Sequence, residues 1–289
     1  MPEGSHITRM MKARLAMRQP VWAAAVSILL LAASAVGKSP RKSAPQPQGL
    51  PDQINQLAKQ LEGVRLYDAG AIPGQIQALV LRSLTAWIAK NAASTAPSRY
   101  PLDVRVRMQL ERDFSELHYP VFGHPAVFVR PWKNGEVIGA GYTLGWSDFA
   151  RVNVLALFLV RAGKPRLAAV THFVPRTDLH YAFFSPPPSG DFRFLVYGNR
   201  LGKSQPRLTA AFYSFDGKSL KKMWQRQDLY AGRLETAPQS VTLTYLIEDE
   251  YIQAVQQGQL PPRHEAIYQV TPQGLTLETE RQIPFSASR

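Results

Sequence analysis

Val152-Asn153-Val154-Leu155-Ala156-Leu157-Phe158-Leu159-Val160 is apolar at every position except Asn153. Alternate side chains of a strand point to opposite faces, so an unbroken apolar run fits a central strand covered on both sides. Gly163-Lys164 follows it as a turn signal, and comparable pairs stand on either side: Asn134-Gly135, Ser189-Gly190, Asp216-Gly217 and Gln273-Gly274. Glycine and asparagine accept positive φ, which tight hairpins require. The glycines of these pairs are 28, 27, 27 and 57 residues apart, so the region reads as a chain of hairpins, one interval being double.

Further strands are expected on either side. Val104, Val106, Met108 and Leu110 alternate with Arg105, Arg107 and Gln109, as in a half-exposed strand. Val241, Leu243, Tyr245 and Ile247 alternate with threonines, and Leu275, Leu277 and Ile283 share one face opposite Glu278, Glu280 and Gln282. The segment Phe215–Leu220, with Trp224, resembles the outer hairpin of some propeller blades. A blade needs about 40–45 residues, so this region would hold at most about four. A meander, sandwich or open barrel is therefore expected, with a partial propeller as the alternative.

Two helices should precede the strands. Asp52 is placed to cap the first, whose face carries Ile54, Leu57, Ala58 and Leu61 and which Gly63 ends. The second starts near Pro73 and aligns Ile76, Leu79, Val80, Leu84, Trp87 and Ile88. Trp87 then belongs to a packed face rather than to a ligand platform. Glu248-Asp249-Glu250 before Tyr251–Val255 predicts a short helix between strands, its acids complementing the positive helix start. The fold class is α+β. Residues 1–37 read as a signal peptide or membrane anchor, 38–51 as a Pro-rich linker, 52–100 as helical, and 101–289 as an antiparallel β-rich domain.

Val21 to Gly37 is a run of 17 residues without charge, preceded by Arg9, Lys12, Arg14 and Arg18 and containing Ala33-Ser34-Ala35. A basic start, an apolar centre and small residues at alternate positions form the signal-peptide pattern. Ala33 and Ala35 are the expected processing positions. The rival is a retained anchor, since a span needs roughly 17–25 residues. Lys38, Arg41 and Lys42 follow at once and do not suit the region just past a cleavage site. Either reading puts the rest of the chain outside the cytoplasm: periplasmic, secreted, or held at the inner membrane.

The apolar and charged fractions, 45% and 19%, are those of a globular protein. Cysteine is absent, which excludes disulfides, thiolate chemistry, cysteine zinc sites and N-terminal lipid modification. The formal charge is +13, and loss of residues 1–35 lowers it to +10, an excess that attracts polyanions. Lys218, Lys221, Lys222 and Arg226 surround Trp224 on one hairpin and are the candidate anion-binding set. The same lysines would also protect an exposed strand edge.

Other motifs carry less. Gly145-Trp146-Ser147-Asp148-Phe149 lacks the final glycine of a nucleophile elbow. Gly198–Ser204 is one residue short of a phosphate loop and leads to Pro206 and a strand, so it reads as a hairpin loop. His118 with His124, and His172 with His180, form pairs without a third ligand, so no metal site or cofactor is expected. Glu111, Asp113 and Glu116, with Arg112 among them, read as loop charges facing solvent. The leading function is a non-catalytic binding or assembly module of a bacterial cell envelope. Its partner would be an envelope polymer, an anionic lipid or another envelope protein, and export disfavours nucleic acid. Membrane association would come through residues 21–37. The alternative is an exported hydrolase of envelope, sugar or ester substrates.

N-terminal sequencing of the product from fractionated cells is expected to begin at Val36, outside the cytoplasm. An intact Met1 or Met11 start on a cytosolic product contradicts export.

Overall fold

The computed structural model describes residues 49–283 apart from 93–97, 116–124, 146–150, 174–177, 201 and 203. The chain divides between Gln46 and Pro47, and everything described below belongs to the unit Pro47–Arg289. The expected signal or anchor segment, with Ala33 and Ala35, and nearly all of the Pro-rich linker lie outside the described residues.

Three helices come first: α1 (Leu50–Lys59), α2 (Ile72–Asn91) and α3 (Leu102–Ser115). Pro51 sits in the first turn of α1, where its missing N–H costs nothing. Asp52 does not cap this helix; Gly49 precedes it, and Asp52 stands within the first turn, where its charge complements the helix start. Gly63, at φ +71°, ends the turns that follow. In α2, Ile76, Val80, Leu84 and Ile88 repeat every four residues and are buried, with Trp87 half-buried against the same cluster.

The expected strand over Val104–Leu110 is instead part of α3. Val106 and Leu110 are one helical turn apart and fully buried, whereas Met108 is 47% exposed. A strand would have buried all alternate positions equally. Here the alternation coincides by chance with i, i+4 spacing, and the arginines, Met and Gln between are good helix formers. The helical region therefore extends past residue 100, and Glu111 lies on a helix rather than in a loop, with Arg107 at 3.8 Å.

Two antiparallel sheets follow. The first is β1 (Ala126–Trp132), β2 (Gly135–Gly145), β3 (Arg151–Arg161) and β4 (Lys164–Phe173), in that order. The second is β5 (His180–Phe184), β6 (Phe192–Arg200), β7 (Arg207–Phe215), β8 (Leu220–Ala237), β9 (Ser240–Leu246), β10 (Arg263–Thr271) and β11 (Gly274–Ile283), each paired with the next. The short helix α4 (Glu248–Gln256) stands between β9 and β10, as expected. Neither sheet closes. A continuous ladder of seven strands is a meander and not a set of blades, so the partial propeller is set aside. The doubled hairpin interval is filled by the turn Pro238–Gln239, between β8 and β9, and by α4.

β3 is covered on both faces. Val154, Ala156, Phe158 and Val160 pack with the helices, while Leu155, Leu157 and Leu159 pack toward the second sheet. Each such side chain contributes roughly 1.5–3 kcal/mol on leaving water. Asn153, the one polar residue between Val152 and Val160, is buried opposite Thr143, whose hydroxyl donates to it. The second sheet curls, so that Leu195, Ala210 and Phe212 share a third cluster with Val241, Leu243, Ala266, Tyr268 and Leu275.

The sheets meet through aromatic rings. Phe128 lies 4.8 Å from Tyr181, 5.0 Å from Phe183, 5.7 Å from Phe194 and 6.0 Å from Phe192, centroid to centroid. Its ring lies across Gly139, its register partner in β2, where a Cβ would overlap it. A Cβ at Gly141 would likewise meet the Tyr181 hydroxyl, which donates to the Ala126 carbonyl at 2.9 Å. Gly139→Ala is expected to destabilise the fold by about 1–3 kcal/mol, and Phe128→Ala by about 3–5 kcal/mol. In chemical denaturation the double variant should cost less than the two together, because the added methyl then occupies the space the ring left. Full additivity would contradict this contact.

Candidate anion-binding surface

The β7–β8 turn is built by Asp216. Its carboxylate accepts the N–H groups of Lys218 at 2.6 Å and Ser219 at 2.8 Å, and the Ser219 hydroxyl at 3.0 Å. These bonds, led by that from the Ser219 backbone, hold its pKa below the usual carboxylate value. The turn presents Lys218 outward, and Lys221 and Lys222 follow it on β8, all exposed. Lys222 Nζ donates to Gln225 Oε1 at 2.5 Å. β9 pairs with β8 only from Tyr230 onward, so this half of β8 is hydrogen-bonded on the β7 side alone.

The other two members of the expected set turn toward the core. Trp224 is half-buried and meets Tyr268 edge-on at 5.0 Å. Arg226 Nε donates to the Tyr268 hydroxyl at 2.9 Å. The hairpin therefore keeps the three lysines at the surface, while Trp224 and Arg226 are half-buried against Tyr268.

Three further cations, Arg166, Arg161 and Lys133, approach the same turn, with Lys164 next to Arg161 in the ladder, and sequence spacing did not bring them together. Arg166 donates through Nη2 to the Gly217 carbonyl. Trp132, at the end of β1, is 5% exposed, donates to the Gly190 carbonyl at 2.9 Å and packs 5.5 Å from Phe215. Lys133 Nζ lies 4.4 Å from the centroid of the Trp132 ring and the Arg161 guanidinium 6.0 Å from it. Lys164 is the register partner of Arg161, across a turn in which Ala162 and Gly163 both have positive φ. Lys133, Arg161, Lys164 and Arg166 are all exposed. The signal available in the sequence was a basic residue at each of the Asn134-Gly135, Gly163-Lys164 and Asp216-Gly217 turns; only packing of the sheets shows that these turns share one end.

Beside this end is a cleft of about 400 Å³, lined by Asp191, Arg193, Ser214, Asp216, Lys221 and Met223 among others. Arg193 is 4% exposed and donates to the carbonyls of Thr271 at 2.6 Å and Pro272 at 2.5 Å. It thereby ties β6 to the β10–β11 turn. Burial lowers its pKa from the ordinary arginine value, with Asp191 opposing. Its Nε is buried without a partner among the described residues.

The remaining candidates are dispersed. His172 lies on β4 in the first sheet and His180 on β5 in the second, which are not paired strands. His172 makes a hydrogen bond of 2.7 Å with Gln77 of α2 and stays accessible rather than entering the core, although partial burial lowers its pKa. His180 pairs with Asp178 at 2.7 Å. Gly198–Arg200 form the end of β6, paired with the start of the antiparallel β7, and Arg200 pairs with Asp228 at 2.7 Å. Asp113 belongs to α3, and His118, His124, Glu116 and Ser147 lie outside the described residues. Among the described residues no group of three histidine, aspartate or glutamate side chains converges as metal ligands. No protein-family model and no curated protein matches this sequence.

Arg193→Met is expected to cost about 1–3 kcal/mol of stability, since two partly buried hydrogen bonds to the β10–β11 turn are lost. Arg193→Lys should recover only part of this, because one ammonium does not reproduce a fork. Hydrogen exchange at the β10–β11 turn checks it: unchanged protection there in Arg193→Met would contradict the tie.

Proposed function

We propose that this chain is an exported protein of a bacterial cell envelope and that its two-sheet unit is a non-catalytic module that binds an anionic envelope component. The observation that carries the reading is the hairpin of Lys218, Lys221 and Lys222. These three cations are exposed, have no acidic partner within 4 Å among the described residues, and stand on a turn held rigid by Asp216. A rigid turn loses little freedom when a partner docks on its lysines, whereas a mobile one would give up conformational entropy. The charge of +13 supports the same reading through long-range attraction to polyanions. Among the described residues no helix is long and apolar enough to cross a membrane, so any anchorage through a helix would rest on residues 21–37.

The test uses the full chain and an isolated bacterial envelope fraction. The chain is expected to sediment with the fraction at low salt and to be released as salt rises. Lys218→Ala/Lys221→Ala/Lys222→Ala should weaken this association at least about tenfold, a lysine near an anionic surface contributing about 1 kcal/mol. Equal sedimentation of the variant and the unmodified chain overturns the reading.

A further inference from the structure

The cations of the second sheet are arranged differently at its two ends. At the end where β6 leaves and β7 begins, Arg200 pairs with Asp228 at 2.7 Å and Arg207 with Glu248 at 2.5 Å. At the opposite end Lys133 and Arg161 lie over Trp132, Arg166 donates to the Gly217 carbonyl, Lys164 and Lys218 stand on the adjoining turns, and none of the five forms an ion pair among the described residues. The acids at the turns of this end are Glu136, Asp191 and Asp216. Asp216 is turned into its own turn, and Asp191 accepts the Ser214 hydroxyl at 3.2 Å. Like charges so gathered repel one another, and a polyanion that neutralises them releases its own counterions.

We infer that the β1–β2, β3–β4 and β7–β8 turns form one rim that binds the phosphate groups of a linear polyanion of the envelope, with Arg161 and Arg166 as the recognising forks. The inference rests on the reading of this protein as an anion-binding envelope module and names the surface and the ligand chemistry. Guanidinium groups match phosphate oxygens two at a time, which ammonium groups do not. Both arginines are held in advance: Arg166 by the Gly217 carbonyl, and Arg161 beside the Trp132 ring and Gly217. The rim is formed by separate turns of both sheets, so it offers a row of charges suited to a chain of phosphates. A bilayer surface fits it less well. Peripheral binding to lipid usually joins cations to apolar side chains that enter the interface, and here Trp132 and Phe215 are buried, at 5% and 0% exposure. Leu167 is the exposed large apolar residue closest in sequence to the rim, and it lines a groove against α2.

The experiment titrates the full chain with inorganic polyphosphate between about 50 and 200 mM salt. Arg161→Ala/Lys164→Ala/Arg166→Ala is expected to bind at least about tenfold more weakly, with a salt slope lower by about 2. Arg161→Lys/Arg166→Lys keeps the charge and loses the forks, and should fall between the two. Arg281→Ala, remote and paired with Glu265, should bind as the unmodified chain does. Circular dichroism and thermal melting verify that each variant folds; the substituted positions are exposed. Undiminished binding by the rim variant, with loss only in the Lys218, Lys221 and Lys222 variant, overturns the rim and leaves the envelope-binding reading standing. Association with envelope but not with polyphosphate overturns the ligand class. Tighter, rim-dependent binding to phosphatidylglycerol vesicles than to polyphosphate overturns the linear polymer in favour of a lipid surface. Lysine-form binding equal to the unmodified chain overturns the role of the forks.

Discussion

The two sheets are joined by a ring lying on a bare backbone. Phe128 crosses Gly139, and only a residue without a side chain lets β1 and β2 keep their register beneath it. From there the ring reaches Tyr181 and Phe183 on β5 and Phe192 and Phe194 on β6. Edge-on and tilted ring contacts add to simple area burial because the positive ring edge meets the negative face. This cluster sets the approach of one sheet to the other. That approach in turn places Trp132 against Phe215, and with them the turns that carry the basic rim.

The rim is thus a consequence of how the layers end. Apolar side chains fill the space between the sheets up to Trp132 and Phe215, and beyond them the chain reverses in tight turns. Charged residues collect at such turns because long cationic side chains can lay their stems on apolar surface and keep their heads in water. Lys133 and Arg161 over Trp132 follow this pattern. At the other end Arg200 and Arg207 are matched by Asp228 and Glu248, whereas the cations of the rim keep no such partners among the described residues.

Much of the architecture was legible before folding. The apolar run of β3 announced a strand covered on both sides, and the helices and the second sheet supply the covers. The stripes of α1 and α2, the hairpin turns and the inserted α4 follow from local periodicity and turn chemistry. The one element misread, α3, shows the limit of periodicity: over seven residues, alternate positions and i, i+4 positions overlap, and burial of Val106 and Leu110 against the other helices decides between them. Of the candidate site, the exposed lysines of the β7–β8 hairpin were legible from local charge. The inward turn of Trp224 and Arg226 was not, because it depends on Tyr268, 42 and more residues away in the chain.

What the sequence alone determined is therefore local: which segments alternate, which turn, and which carry charge. These depend on residues within a few positions of one another, where backbone geometry dictates what is adjacent. The tertiary structure decided which turns meet, which cations keep acidic partners, and which aromatic residues become core. Those outcomes depend on the packing of Phe128 over Gly139 and on the curl of the second sheet, and contacts across that distance leave no periodic trace in one chain.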